Sequence, residues 1–148
     1  MIRNSNIKSK IIHGSSVEIN GKGVIILGKS GAGKSSLAIK LISLGANFIA
    51  DDQTLIELKN EKLIISKPST TPSLIEARGV GLIQVPLIRL SELFYFIKII
   101  DQDLPRLPFL KTKKCFGKKI KLLEFNPRYN NEAALFIGIK HEIKNNNI

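Results

Sequence analysis

The sequence predicts a single α/β domain in which a mixed sheet is flanked by helices. Three observations support this prediction. The chain has 148 residues, which is enough for one hydrophobic core and too short for two ordinary domains. Short apolar runs rich in Val and Ile alternate with turn residues, as in strands, and two segments have the apolar spacing of helices. We expect one domain over residues 1–148, with frayed ends at about 1–8 and 144–148.

The first predicted elements are a β-hairpin and a helix, separated by a glycine-rich segment. Residues 16–19 and 23–27 flank Asn20-Gly21, which is a strong hairpin signal. From Lys34 apolar residues recur at helical spacing, and Gly45 follows as a helix-ending residue. Residues 47–50 form a short apolar strand. We therefore expect strand, loop, helix and strand to form a βαβ unit in a parallel sheet.

The rest of the chain predicts a second hairpin, a polar loop, two strands and a terminal helix. The hairpin is expected at residues 54–66, and the glycine-bearing residues 75–81 suit a loop at a functional site. Residues 94–100 and 119–125 are strand candidates, and Cys115 is expected in a loop between them. Asn126 and Pro127 are expected to start the terminal helix, whose body covers residues 132–143.

Composition and charge exclude several classes of protein. The formal net charge is +11, but the basic residues are spread along the chain, so we expect no nucleic-acid partner. No apolar run reaches the roughly 20 residues of a spanning helix, and the N-terminal residues lack the apolar region of a secretory signal. We expect a cytoplasmic protein without a membrane span. One lysine cluster is interpreted as a solvated loop that could contact an acidic partner or phosphate: Lys111, Lys113, Lys114, Lys118, Lys119 and Lys121.

The glycine-rich segment contains the most specific motif in the chain. Residues 28–35 read GKSGAGKS and fit G-x-x-x-x-G-K-[ST] between a predicted strand and a predicted helix. In this motif backbone N–H groups turn towards phosphate, Lys34 reaches the β and γ oxygens from a solvated crevice, and Ser35 offers a hydroxyl to Mg²⁺. ATP and Mg²⁺ are the expected cofactors. The predicted nucleotide-binding residues are Gly28, Lys29, Ser30, Gly31, Ala32, Gly33, Lys34, Ser35 and Ser36.

Two acidic residues and a histidine are further candidates for the site. Asp51 and Asp52 follow a predicted strand and should lie beside the phosphate loop, where a carboxylate can bind Mg²⁺ through water or accept a proton. Because successive side chains leave a strand on opposite faces, we expect one in the site and one making structural hydrogen bonds. A solvent-exposed turn pair is the alternative. His13 could orient phosphate or a carboxylate, but its spacing does not decide this.

Taken in order, these motifs resemble the HPr kinase/phosphorylase family in its short, catalytic-domain-only form found in alphaproteobacteria. The residues that carry the resemblance are His13-Gly14, the loop GKSGAGKS, the pair Asp51-Asp52 and the segment IEARGVG at residues 75–81, whose E-x-R-G-x-G pattern is the most specific. The resemblance covers most of residues 11–140. It implies a P-loop kinase domain similar to the C-terminal domain of that family.

The resemblance also implies an activity, partners and residue roles. The activity is an ATP- and Mg²⁺-dependent protein-serine kinase that phosphorylates the phosphocarrier protein HPr and also removes the phosphate by phosphorolysis. A homo-oligomer is implied too, because longer family members form hexamers. Asp52 corresponds to the proton acceptor with Asp51 beside it, and Ser35 and Glu76 to the magnesium ligands. The other implied site residues are His13, Lys34, Arg106 and the signature segment Ile75, Glu76, Ala77, Arg78, Gly79, Val80 and Gly81.

Three functions stay open at this point. Residues 126–130 correspond to the family's phosphorolysis loop but lack its glycine and one arginine, so the kinase is expected and the phosphorylase is left open. A small-molecule P-loop kinase is the second alternative, although such enzymes usually have a longer helical lid and lack E-x-R-G-x-G. The third is a nucleotide-binding regulatory module without catalysis. Dependence of ATP turnover on HPr would separate them.

Overall fold

The computed structural model describes residues 8–145, which form eleven strands and two helices. The predicted frayed ends fall largely outside the described residues, although Lys8 already lies in a strand and Asn145 donates to the carbonyl of Pro108 at 2.7 Å. Within residues 8–145, no helix is long and apolar enough to cross a membrane. The elements are β1 (Lys8–His13), β2 (Ser15–Ile19), β3 (Lys22–Leu27), α1 (Lys34–Ser43), β4 (Asn47–Ala50), β5 (Gln53–Lys59), β6 (Lys62–Ser66), β7 (Ile75–Ala77), β8 (Gly81–Ile83), β9 (Leu90–Ile99), β10 (Lys111–Cys115), β11 (Lys118–Phe125) and α2 (Glu132–Lys140).

Nine of these strands form one mixed sheet, which confirms the predicted α/β fold class. Its order is β1-β5-β6-β9-β3-β2-β4, with β11 parallel to β9 and β10 pairing with β11. The expected βαβ unit needs a correction, because β2 lies between β3 and β4 and is antiparallel to both. The Asn20-Gly21 turn holds β2 against β3, so β4 can pair only with the other edge of β2.

The two faces of the sheet are covered differently. Helices α1 and α2 lie on one face, where Leu37, Leu41 and Ile139 are buried against residues of β3 such as Val24 and Ile26. The other face is covered by the strands that curl over it, and a second cluster is buried there: Ile25, Ile49, Ala50, Ile56, Leu63, Ile65, Leu93, Phe96 and Cys115. The curled sheet replaces a second layer of helices. The predicted flanking helices therefore lie together on one side of the sheet.

The lysine cluster, predicted as a solvated loop, forms the β10–β11 hairpin instead. Its turn is Phe116-Gly117, with φ values of 48° and 78°, the left-handed backbone typical of two-residue hairpins. Cys115 is buried at the end of β10 rather than placed in a loop. Loop prediction failed here because lysines on an edge strand resemble a solvated segment, although charged edges are a common way to prevent further strand pairing.

Two other segments differ from their predicted structure. Asn126 caps a short 3₁₀ turn, Pro127–Tyr129, by accepting a hydrogen bond from the Arg128 N–H at 3.0 Å. Asn130, with φ 50°, separates that turn from α2, which ends at Lys140 and not at residue 143. The site loop expected at residues 75–81 is part of the β7–β8 hairpin. In both segments a short turn, before α2 in one and between β7 and β8 in the other, changes the structure that the sequence pattern predicted.

Candidate active site

The loop between β3 and α1 has a backbone suited to binding an anion. Gly31 and Gly33 have φ values of 81° and 105°, which L side chains rarely adopt. Gly33 precedes the first turn of α1, and within the described chain no side chain caps that turn and no acidic residue lies in it. The first backbone N–H groups of the helix are therefore left for a phosphate, whose charge the helix dipole also favours.

Lys34 lies inside the loop rather than in a solvated crevice, so that expectation was wrong. Its side chain is buried, and its Nζ donates to the carbonyls of Gly28 at 3.0 Å and Lys29 at 3.2 Å. These two bonds tie the ammonium to the backbone of the loop. A buried ammonium needs such partners, because desolvation without hydrogen bonds would be costly.

Asp51 joins three parts of the molecule through its carboxylate. Its Oδ1 accepts hydrogen bonds from the hydroxyls of Ser35 at 2.7 Å and Ser15 at 2.9 Å, and its Oδ2 accepts from the Glu76 N–H at 3.3 Å. One of the two aspartates was expected to make structural hydrogen bonds, and Asp51 does so. Because one partner is Ser35, the Asp51 carboxylate also lies directly beside a predicted magnesium ligand.

Asp52 follows Asp51 in the chain and is exposed. Its Oδ1 is 2.6 Å from Nε2 of His13, and both side chains are more than half exposed. The alternation rule does not apply to this pair, because β4 ends at Ala50 and Asp52 has a left-handed backbone with φ 69°. His13 reaches it because β1 pairs with β5, where His13 lies opposite Gln53. The sequence did not predict β1, so the position of His13 could not be derived.

Ser15 is a functional candidate that sequence reasoning missed. It is fully buried, its hydroxyl donates to Asp51, and its Oγ accepts from the Asp52 N–H at 3.2 Å. One side chain thus holds both aspartates. The preceding Gly14 has no room for a side chain, since a Cβ there would be 2.8 Å from the carbonyl oxygen of Ile26. A polar residue at the start of an apolar strand was the available sequence signal.

The other predicted site residues are divided between two regions. Glu76 lies in β7, with its N–H on Asp51, and Gly79 and Gly81 have the positive φ values that the β7–β8 turn needs. Arg106 is exposed in the segment between β9 and β10, and among residues 8–145 no hydrogen bond or ion pair connects it to the phosphate loop or the aspartates. Its assignment therefore rests on the resemblance alone.

A cavity of about 970 Å³ adjoins the phosphate loop, and neither Asp51 nor Asp52 lines it. Its wall combines the first half of the loop with the carboxyl ends of β9 and β11 and with parts of β10. Arg128, which the sequence placed in the counterpart of a phosphorolysis loop, lines this cavity. The lining residues are Leu27, Gly28, Lys29, Ala32, Lys98, Ile99, Ile100, Asp101, Gln102, Thr112, Lys113, Leu122, Glu124, Asn126, Pro127 and Arg128.

The donor atoms around Ser35 fit a magnesium ion. Mg²⁺ prefers hard oxygen ligands and is usually held by one or two carboxylates together with phosphate oxygens and water. The hydroxyl of Ser35 and the carboxylate of Asp51 are such ligands, and the backbone of Glu76 is bonded to the same carboxylate. Together with the free N–H groups of α1, this donor set suits a magnesium nucleotide.

Comparison with known proteins gives matches in sequence and in structure. The profile of the HPr Serine kinase C-terminal domain matches residues 5–91. The HPr kinase/phosphorylase of Chlorobium phaeobacteroides (strain BS1) is 35% identical over 133 residues, which are 80% of this chain and 39% of that protein. The HPr kinase/phosphorylase of Clostridium tetani (strain Massachusetts / E88) is 44% identical over 75 residues, 51% of this chain and 25% of that protein.

The chain thus spans about a quarter to two fifths of the length of these relatives. A solved structure described as the Hpr(Ser) kinase/phosphatase from Coxiella burnetii superposes with a TM-score of 0.77 at 25% sequence identity. The match covers 88% of each chain.

Proposed function

Because the chain belongs to the HPr Serine kinase C-terminal domain family, we propose that it is an ATP- and Mg²⁺-dependent kinase that phosphorylates a serine of an HPr-like phosphocarrier protein. The observation that carries this proposal is that the carboxylates of the two aspartates have different hydrogen-bond partners. Asp51 contacts Ser35 of the loop, whereas Asp52 contacts His13, and the side chains of Asp52 and His13 are both more than half exposed. One carboxylate is thus available to a metal and the other to an acceptor hydroxyl.

The phosphate end of ATP would be held by the loop. The N–H groups at the start of α1 would bind phosphate oxygens, and Lys34 would neutralise charge that develops on the transferred group. Ser35, Asp51 and Glu76 are the residues we expect to hold Mg²⁺, either directly or through water. Bound there, the ion would offset phosphate charge, which is its usual part in phosphoryl transfer.

Asp52 would act as the general base. The serine oxygen of the carrier would form a bond to the γ-phosphorus while the bond from that phosphorus to the β–γ bridging oxygen breaks, and Asp52 would take the hydroxyl proton. His13, 2.6 Å from the carboxylate, would keep it oriented towards the acceptor. In the reverse direction inorganic phosphate would be the acceptor and Asp52 would return the proton. We expect this phosphorolysis to be the weaker activity, because residues 126–130 lack part of the family's loop.

The decisive experiment incubates the protein with ATP, Mg²⁺ and a purified HPr-type carrier and locates phosphoserine by mass spectrometry. The matched control is Lys34→Ala, which should abolish transfer because the loop loses its buried cation. Transfer by this variant within about tenfold of the unmodified protein would refute the site. Turnover without the carrier would favour a small-molecule kinase. ATP binding without any transfer would favour a regulatory module.

A further inference from the structure

We propose that Ser73 is a self-modification site, to which the protein transfers the γ-phosphoryl group of bound ATP when no carrier is present. The inference rests on the proposed function. Ser73 lies in the connection between β6 and β7, residues 67–74. This connection leads towards the aspartate pair and carries four hydroxyl residues: Ser69, Thr70, Thr71 and Ser73.

Strand β7 fixes the end of this connection beside the site. Ile75, the first residue of β7, is fully buried in the same cluster as Leu37 of α1, the helix that follows the phosphate loop. The next residue, Glu76, donates its N–H to Oδ2 of Asp51 at 3.3 Å. Ser73 precedes Glu76 by three residues, so their Cα atoms are at most about 11 Å apart. The connection therefore ends close to the carboxylate that is expected to hold Mg²⁺.

The first part of the connection is a turn that is closed on itself. The carbonyl of Pro68, which is buried, accepts hydrogen bonds from the Thr71 N–H at 3.2 Å and from the Thr71 hydroxyl at 3.1 Å. Lys67 Nζ donates to the carbonyls of both residues, at 2.9 Å for Pro68. The hydroxyl of Thr71 is therefore engaged, and the turn is anchored at the end that leaves β6.

The other three hydroxyl residues are exposed, but they differ in their distance along the chain from the site. Ser69 and Thr70 lie at the tip of the turn, seven and six residues before Glu76. Ser73 lies after the turn, and within residues 8–145 its side chain has no hydrogen-bond partner. A hydroxyl that makes no bond in the folded protein can approach a phosphate without breaking one. Ser73 is thus the hydroxyl of this connection best placed to act as an acceptor.

The transfer would follow the same chemistry as transfer to the carrier. The Oγ of Ser73 would form a bond to the γ-phosphorus while the bond from that phosphorus to the β–γ bridging oxygen breaks, and ADP would leave with that oxygen. Asp52, whose side chain is more than half exposed, would take the hydroxyl proton.

A tethered acceptor has kinetics that distinguish it from a free one. Because Ser73 belongs to the same chain as the site, its effective concentration there does not depend on the concentration of the protein. The reaction also stops at one phosphate per chain, unlike the continued turnover of a small-molecule kinase.

The test incubates the protein with Mg²⁺ and γ-labelled ATP in the absence of carrier, and mass spectrometry then locates the phosphate. Ser73→Ala removes the acceptor, and Ser69→Ala is the matched control, an exposed serine of the same connection. We expect up to one phosphate per chain on Ser73, a loss of at least about tenfold in Ser73→Ala, and a change of less than about twofold in Ser69→Ala. The initial rate per chain should stay constant over about a 100-fold range of protein concentration.

Two further measurements separate a lost acceptor from a damaged site. Ser73→Ala should still phosphorylate an HPr-type carrier within about twofold of the unmodified protein. Ser73→Thr keeps a hydroxyl at this position, so it should restore self-modification with the phosphate on threonine. Loss of carrier phosphorylation in Ser73→Ala would make Ser73 part of the site itself and would overturn the proposal.

The remaining outcomes also decide the question. Carrier phosphorylation without phosphate on Ser73 would refute this inference and leave the proposed function intact. Phosphate that persists in Ser73→Ala, or a rate per chain that rises in proportion to protein concentration, would also refute it, because the acceptor would then be another residue or another chain. If neither Ser73 nor the carrier is phosphorylated, the proposed function fails, and this inference fails with it.

Discussion

Replacing Ser15 by alanine tests whether the two aspartates are positioned by a single buried hydroxyl. In the native protein this hydroxyl donates to Asp51 at 2.9 Å and accepts from the Asp52 N–H at 3.2 Å. Ser15→Ala removes both bonds at once and leaves the side-chain volume nearly unchanged. The variant therefore alters the orientation of the carboxylates without opening a large cavity.

The expected size of the effect follows from the kind of bonds lost. A hydrogen bond to a charged group is worth about 1.5–3 kcal/mol, and loss of a partner that orients a metal ligand typically costs about 10–100-fold in affinity or activity. We therefore expect kcat/KM for carrier phosphorylation to fall by about 10–100-fold. The Mg²⁺ concentration at half-maximal rate should rise, because Asp51 is no longer fixed beside Ser35.

Ser16→Ala is the matched control for this experiment. Ser16 is also fully buried, and its Oγ lies 2.9 Å from Oγ1 of Thr54, on the face of β2 away from both aspartates. Both variants lose a buried hydroxyl, so thermal unfolding should show comparable losses of stability. Only Ser15→Ala should change the Mg²⁺ dependence. The reasoning is refuted if the two variants have the same kinetics, or if Ser15→Ala lowers stability alone.

Three more predictions concern the aspartate pair, Glu76 and Cys115. Asp52→Asn should preserve ATP binding in calorimetry and reduce phosphoryl transfer by about 10²–10⁴, the usual worth of a general base; a larger loss in Asp51→Asn with normal transfer in Asp52→Asn would exchange their roles. Glu76→Gln should raise the Mg²⁺ requirement, and an unchanged requirement would leave Glu76 without a metal role. Burial raises the pKa of the Cys115 thiol, so it should react with a disulfide reagent only on unfolding, and rapid reaction of the native protein would contradict its burial.

Local patterns predicted the parts of the fold that depend on neighbouring residues. The Asn20-Gly21 turn, a glycine-bearing loop between β3 and α1, and α1 with Gly45 after its end were all confirmed, because each depends on residues within about one turn of structure. The same applies to the second hairpin, whose turn residues Asn60 and Glu61 have positive φ values.

The parts that failed depend on pairing between distant segments. The Lys-rich β10 is a strand only because β11 pairs with it, and β1 is a strand only because β5 does. Neither partner can be inferred from an alternation of charge or from a lone histidine. For the same reason, the sequence led to the aspartate pair but not to the residue that holds it. The partner was 36 positions away in the chain.

The position of β2 explains why the site needs a small hydroxyl residue at Ser15. Because β2 separates β3 from β4, the strand leading to Asp51 is two strand spacings, or roughly 10 Å, from the strand leading to the phosphate loop. Strand β2 is antiparallel to both, so its first residue lies at their carboxyl ends, with Ser15 opposite Ile26. A hydroxyl there bridges towards Asp51 while Ser35 approaches from the start of α1. An apolar residue at this position would leave the Asp51 carboxylate with one fewer hydrogen-bond donor. The position of β2 between β3 and β4, which the sequence did not predict, is therefore the reason that β2 begins with a hydroxyl residue.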